Sequence, residues 1–136
     1  MELQVGVKAL LKNKKGKYLL IRRNPKKYPE VGPKWDIVGG RIEAGAPLLD
    51  NLKREIKEET NLDLVAAPRL VGAQDILRIE GRHVVRLSYA ADIEGEPEID
   101  EESEEYKWFT LAEMKSLTEK ELDIYFKELL DKGLFS

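Results

Sequence analysis

The chain has 136 residues, enough for one compact domain with a buried core, and its 42% apolar content is that of a globular protein. It has no cysteine and a single histidine, His83, which excludes disulfides, thiolate metal ligands, cysteine nucleophiles and His-rich metal sites and leaves little room for a Ser–His triad. A formal charge of −3 gives no overall attraction to nucleic acid, and no run is long and apolar enough to span a bilayer.

The N-terminal MELQVGVKALLKNKKGK lacks the basic-then-apolar order of a signal peptide, so a cytoplasmic location is expected. Val5, Val7, Ala9 and Leu11 alternate with Gly6, Lys8 and Leu10, the period of a strand. A turn over Asn13 to Gly16 and a hairpin partner over 17–23 follow, then a loop over 24–34 rich in proline and lysine. WDIV (35–38) reads as a short strand ending in Gly39-Gly40. From Pro47 to Thr60 the period becomes helical, with Leu48, Leu49, Leu52 and Ile56 as the apolar stripe. Pro47 fits the first turn, where its missing N–H costs nothing, and Asn61 fits the left-handed position after the last turn.

Two longer strands are expected over 69–79 and 82–93, joined at Glu80-Gly81-Arg82. The loop 94–105 carries eight carboxylates in twelve positions, and YKWFT (106–110) reads as a strand after it. Thr110 with Glu113, and Thr118 with Glu121, each have capping-box spacing and predict two closing helices, the second stopped by Gly133. Strands separated by one helix and followed by others predict an α/β fold, a mixed sheet covered by helices, as one domain over residues 1–136.

The stretch REIKEE (54–59) is the chemically informative one. Glu55, Glu58 and Glu59 share one side of the helix, and each like-charged pair at that spacing costs roughly 0.2–0.5 kcal/mol. At roughly 100° per residue they lie beside the stripe of Leu49, Leu52 and Ile56 and not opposite it. Two readings fit: a solvated helix surface partly neutralised by Lys53 and Lys57, or a site for a hard divalent cation, which prefers oxygen ligands.

GGRIEAGAPLLDNLKREIKEETNL (39–62) resembles the Nudix box. Gly40, Arg54, Glu55, Ile56, Glu58, Glu59 and Leu62 match that signature in type and register; Glu43, Gly45 and the preceding WDIVGG fit its fuller form. The order of strands, the acidic loop and the EYKWFTLAEM ending extend the likeness over the whole chain. Two positions depart from the signature: Ala46 stands where its first Glu belongs and Asn61 where its Gly belongs. Asn61 is conformationally benign. In the family the missing Glu braces the loop and the box arginine, so Ala46 predicts a loosened loop and a less firmly held Arg54, unless Glu43 fills the role.

The resemblance implies a Nudix-like α/β/α sandwich that hydrolyses a nucleoside diphosphate linked to another moiety, through water attack at phosphorus. It implies Mg²⁺ as cofactor, with Mn²⁺ a substitute, because a diphosphate repels an anionic nucleophile until divalent ions neutralise it. By the match, Glu55 and Glu59 are metal ligands, Glu58 is a ligand or the water-activating base, and Arg54 orients them. The carbonyl of Gly39 or Gly40 adds a backbone ligand, and Glu102, or else Glu105, adds one from the acidic loop. Arg23 is expected to face substrate, Lys26, Lys27 and Lys34 to help hold phosphates, and Tyr28 and Trp35 to stack on a base, although core packing is the other role open to Trp35.

The implied partner is a small nucleotide or nucleoside diphosphate derivative, with no nucleic acid or membrane and a monomer or homodimer as the assembly. In its compact length the chain resembles the family members that act on nucleoside triphosphates of the 8-oxo-dGTP type, and the resemblance implies such a substrate. A Nudix-fold binding module without turnover is the alternative that Ala46 suggests. An isopentenyl diphosphate type isomerase shares the fold but depends on a cysteine that this chain lacks.

Overall fold

A computed structural model describes residues 1–24, 26 and 34–135. Among these residues the chain forms a seven-stranded mixed sheet with helices on both faces. The strands are β1 (Glu2–Lys12), β2 (Tyr18–Arg23), β3 (Trp35–Asp36), β4 (Val38–Arg41), β5 (Arg69–Ile76), β6 (Arg82–Asp92) and β7 (Ser103–Phe109). The helices are α1 (Leu48–Thr60), α2 (Leu111–Ser116) and α3 (Ile124–Asp131).

The long β1 organises the sheet. One edge runs parallel to β6 for its whole length, from Glu2 beside Arg82 to Lys12 beside Asp92. The other edge is shared: Gly6–Ala9 pair with β4, and Leu11 and Lys12 pair with β2. β1 and β2 therefore diverge beyond their hairpin, and β3 and β4 enter the gap, β3 on β2 and β4 on β1. β7 closes the outer edge of β2, and β5 that of β6.

Side-chain alternation sends β1 and β2 residues to two separate cores. Val7, Ala9, Leu11, Leu19 and Ile21 meet Leu52 and Ile56 of α1. Leu10, Tyr18 and Leu20 meet Met114, Phe126, Leu129 and Leu130 of α2 and α3. Burying each Val, Leu, Ile, Met or Phe side chain among these is worth about 1.5–3 kcal/mol, so both helix layers are firmly held.

Several boundaries differ from the sequence expectation. WDIV is broken at Ile37 into two strands because its ends pair with different partners. The strand expected over 69–79 stops at Ile76, and that over 82–93 at Asp92. β7 begins at Ser103, inside the acidic stretch, because β2 offers its edge as far as Arg23. Leu48 and Leu49, assigned to the apolar stripe of α1, are exposed, and Pro47 stands at the N-cap ahead of the first turn.

The Thr110–Glu113 capping box is present and opens α2. Thr118 and Glu121 hydrogen-bond to each other, but they close one turn only. The helix that follows is capped by Asp123, whose carboxylate accepts from the Phe126 N–H at 2.9 Å. Asn61 takes the left-handed conformation at φ 60° and is the one non-glycine residue at positive φ among the described residues.

Candidate active site

Helix α1 and the β4 strand before it bring the site together. Glu55, Glu58 and Glu59, with Arg23, Gly39, Gly40, Arg41 and Glu102, line one cleft of about 410 Å³. Glu59, in the last turn of α1, is 2% exposed. Its Oε2 accepts the Gly39 N–H at 2.6 Å, and its Oε1 lies 2.6 Å from Nη1 of Arg23. Arg23 also donates to the Gly39 carbonyl at 2.8 Å, so strand, glycine turn and helix share one guanidinium. Burial pushes the Glu59 carboxyl up to about 7, outweighing Arg23 and Lys8, which act to lower it.

Two glycines make this approach possible. At Gly39, φ is 138° and a Cβ would lie 2.1 Å from the Val7 carbonyl oxygen. At Gly40 a Cβ would lie 2.7 Å from Oε2 of Glu55. No side chain fits between Gly40 and Glu55, nor between Gly39 and the neighbouring β1 strand.

Glu55 is largely buried, and burial raises its pKa, with Arg54 opposing and Glu58 adding to the rise. Nη1 of Arg54 stands 3.1 Å from Glu55, 3.6 Å from Glu58 and 3.7 Å from Glu43. Its Nη2 donates to Oδ1 of Asn51 at 2.9 Å and to the Arg41 carbonyl at 3.3 Å. Glu58 is more than half exposed and stands at the solvent side of the cleft.

The two loop acids take different positions. Glu102 lines the cleft, its backbone held by Asn24, whose N–H donates to the Glu102 carbonyl at 2.8 Å. Glu105 pairs with Arg22 instead. Pairing with β2 jumps from Arg22–Glu105 to Arg23–Ser103, an irregularity that falls at the cleft rim.

Trp35 does not line the cleft. Its ring meets Phe109 edge-on at 5.2 Å and lies under the Arg22 guanidinium at 4.9 Å, on the sheet face that carries α2 and α3. Lys26 and Lys34 are also absent from the cleft lining. The expectations for Tyr28 and Lys27 fall outside the described residues.

Sequence reasoning missed two features. Asn51 is buried at 1% exposure, within the loop and helix start that Ala46 was expected to loosen. The second is a buried charge network: Asp36 meets Lys8 at 3.1 Å and Arg86 at 3.1 Å, and Arg86 meets Asp123 at 3.0 Å. The available signal was Lys8 and Arg86 within otherwise apolar strands, but only the β1–β6 and β2–β3 pairings place them beside Asp36. A cavity of about 180 Å³ lined by Lys8, Arg86, Ile76 and Val84 adjoins the cleft and shares Arg23 and Gly39–Arg41 with it.

The donor set fits a hard divalent cation. It is all oxygen, and Gly40 leaves space against Glu55, while the buried Oε1 of Glu59 has Arg23 as its partner at 2.6 Å. Among the described residues no three His, Cys, Asp or Glu side chains are gathered around a common point that could hold an ion. Glu59 is turned to Arg23 and Gly39, and Glu55 to Arg54.

A model of the NUDIX domain matches residues 2–130, nearly the whole chain and all of the site. The chain belongs to the Nudix family. Among solved structures, this Nudix hydrolase is similar to a MutT protein from Methanosarcina mazei Go1, at 24% identity and a TM-score of 0.83 over 96% of this chain and 91% of that one. It is also similar to a MutT NUDIX hydrolase from Burkholderia pseudomallei, at 27% identity and a TM-score of 0.77 over 96% and 98%. A UDP-X diphosphatase shares the fold at 21% identity and a TM-score of 0.69, over 97% of this chain and 63% of that one. No curated protein matches the chain. Membership supports pyrophosphohydrolase chemistry on small nucleotide derivatives with a divalent metal ion, the general pattern of the family. No helix among the described residues is long and apolar enough to cross a membrane.

Proposed function

We propose that this Nudix hydrolase cleaves a phosphoric anhydride bond in a nucleoside triphosphate of the 8-oxo-dGTP type, with Mg²⁺ as the ion and Mn²⁺ as a substitute. The observation that carries metal-dependent hydrolysis is the joining of Glu55, Glu58, Glu59 and Glu102 with Gly39 and Gly40 in one cleft, and the triphosphate substrate is supported by the compact length of the chain. Glu55, Glu59, Glu102 and the Gly40 carbonyl would hold the metal, with Glu58 left as the base, since the Gly39 carbonyl is taken by Arg23. The ion supplies charge neutralisation of the diphosphate and activation of water.

The chain's residues supply the rest. Glu58, the most exposed of the three helix carboxylates, accepts the proton of the attacking water, and Glu55 stands beside it. Arg54 fixes Glu55 and Glu58 relative to one another. Arg23 faces both the cleft and the adjoining cavity, so it can hold a phosphate that spans them. The adjoining cavity, with Lys8 and Arg86 at its wall, takes the remainder of the substrate.

The deciding experiment supplies nucleoside triphosphates and diphosphate conjugates, UDP-linked ones included, with and without divalent metal. It reads phosphate after inorganic pyrophosphatase has split the pyrophosphate from triphosphates or phosphatase has split the monoesters from conjugates. The expected result is metal-dependent turnover that is fastest on an oxidised purine triphosphate. Faster turnover of a UDP conjugate would reassign the substrate class. Loss of all turnover with every metal would overturn the reading.

A further inference from the structure

We infer that Asn51 is the positioning residue of this active site, replacing with a neutral amide the acidic brace that Ala46 cannot provide. Asn51 sits on α1 one turn before Arg54, with its side chain turned under the 43–47 loop. Oδ1 accepts from the Glu43 N–H at 2.8 Å and from Nη2 of Arg54 at 2.9 Å. Nδ2 donates to the Ala46 and Pro47 carbonyls, both at 3.1 Å, and reaches the Glu43 carbonyl at 3.5 Å.

An amide has two acceptor sites and two N–H donors, and here all are used in a residue 1% exposed. Its orientation is dictated, because both groups facing Oδ1 are donors and all those facing Nδ2 are carbonyls. α1 begins at a proline with no side-chain cap of its own, and Asn51 ties that cap back to the loop.

The same contact divides the Arg54 guanidinium between two tasks. Nη2 is held by Asn51 and the Arg41 carbonyl, which leaves Nη1 facing Glu55 and Glu58. Without Asn51 that edge of Arg54 keeps only the longer bond to Arg41, because Glu43, largely exposed, faces Nη1 instead, at 3.7 Å. Because Asn51 acts through Arg54 and the loop, it governs turnover and not substrate affinity. The turnover part rests on the proposed function, and the structural part does not.

The test is a cycle of four proteins: wild type, Asn51→Ala, Ala46→Glu, and Asn51→Ala with Ala46→Glu. Each is measured metal-free for hydrogen exchange at the Glu43 amide and for Tm, and with saturating Mg²⁺ for kcat and KM. Asn51→Ala should lose protection at Glu43 and lower kcat by about 10–100-fold, the usual loss for a residue that orients metal ligands, with KM within about twofold. Ala46→Glu alone should change kcat by less than about twofold, since Asn51 already holds Arg54. In the double variant the new acid stands on the residue whose carbonyl Asn51 held, and it should return kcat to within about threefold of wild type.

A double variant no better than Asn51→Ala, or Asn51→Ala with Glu43 still protected and kcat unchanged, would overturn the inference. If Asn51→Ala does not fold, recovery of folding in the double variant supports the brace and its absence refutes it. If wild type turns over none of the substrates, the proposed function fails, while exchange and Tm across the same cycle still decide the brace.

Discussion

Arg23 and Glu59 meet at 2.6 Å with their charges almost wholly buried, Arg23 from the end of β2 and Glu59 from the last turn of α1. One of the glutamates in the proposed metal site is therefore held by a cation of the protein's own. Near neutral pH this carboxylate gains little from its charge, because burial offsets Arg23 and puts its pKa at about 7. Glu59→Gln should accordingly stay folded while losing an anionic ligand. We expect activity to fall by at least about 100-fold and Mg²⁺ binding by calorimetry to weaken in parallel. Unchanged Mg²⁺ binding would remove Glu59 from the ligand set.

Two buried carboxylates give the metal-free protein opposite pH dependences. Burial acts to raise Asp36, but Lys8 and Arg86 outweigh it and hold the group at about 2, below its ordinary 3.8. That stabilisation, about 2 kcal/mol, is complete above pH 3.8 and is lost as the pH falls towards 2. Glu59 is displaced the other way, from 4.5 to about 7, so the folded state keeps a proton that the unfolded chain releases. Stability therefore declines by up to about 3 kcal/mol as pH rises through that interval. Melting in chelator should show a maximum near pH ~4, and saturating Mg²⁺, which favours the ionised form, should flatten the neutral side. A Tm that does not fall between pH 4.5 and 7 in chelator would contradict the placement of Glu59.

Metal should also stabilise the fold at constant pH, since an ion that binds only the folded state adds RT ln(1 + [L]/Kd). At ~100 times Kd this is about 2.7 kcal/mol, several degrees in Tm for a chain of this size. Millimolar Mg²⁺ should raise Tm in wild type and much less in Glu59→Gln. Sodium chloride at equal ionic strength producing the same gain would identify general screening as the cause.

The parts of this molecule that were legible in the sequence are those written in local spacing. The β1–β2 hairpin follows from alternation and a turn, Asn61 from its tolerance of positive φ, and the α2 start from the Thr110–Glu113 box. The three helix carboxylates were visible for the same reason, because residues three and four apart share a helix side whatever the rest of the chain does. Asn51 was not legible, since an asparagine in the first turns of a helix is ordinarily exposed, and only the return of the 43–47 loop buries it. Leu48 and Leu49 misled for the converse reason: apolar residues at helical spacing do not reveal how far the sheet beneath the helix extends. Trp35 turned on a strand break, because which edge β3 pairs with decides which face its ring takes.

The buried charge network makes the last prediction. Asp36 accepts from Lys8 and from Arg86, and its Oδ1 also accepts the Ile37 N–H at 2.7 Å. Asp36→Asn keeps the shape but takes the paired carboxylate from Lys8, while Arg86 keeps Asp123 at 3.0 Å, and breaking a buried pair in this way costs about 3–5 kcal/mol. Lys8→Met removes a cation whose pKa burial already lowers, despite Asp36, while Arg86 still satisfies the carboxylate. Its apolar stem can pack where the lysine stem lay, so its cost should be under about 2 kcal/mol. Urea unfolding should therefore rank Asp36→Asn well below Lys8→Met, with unchanged slopes showing that both still unfold cooperatively. Equal losses in the two variants would mean that Lys8 and Arg86 are not interchangeable partners of Asp36, and that the network depends on the lysine as much as on the arginine.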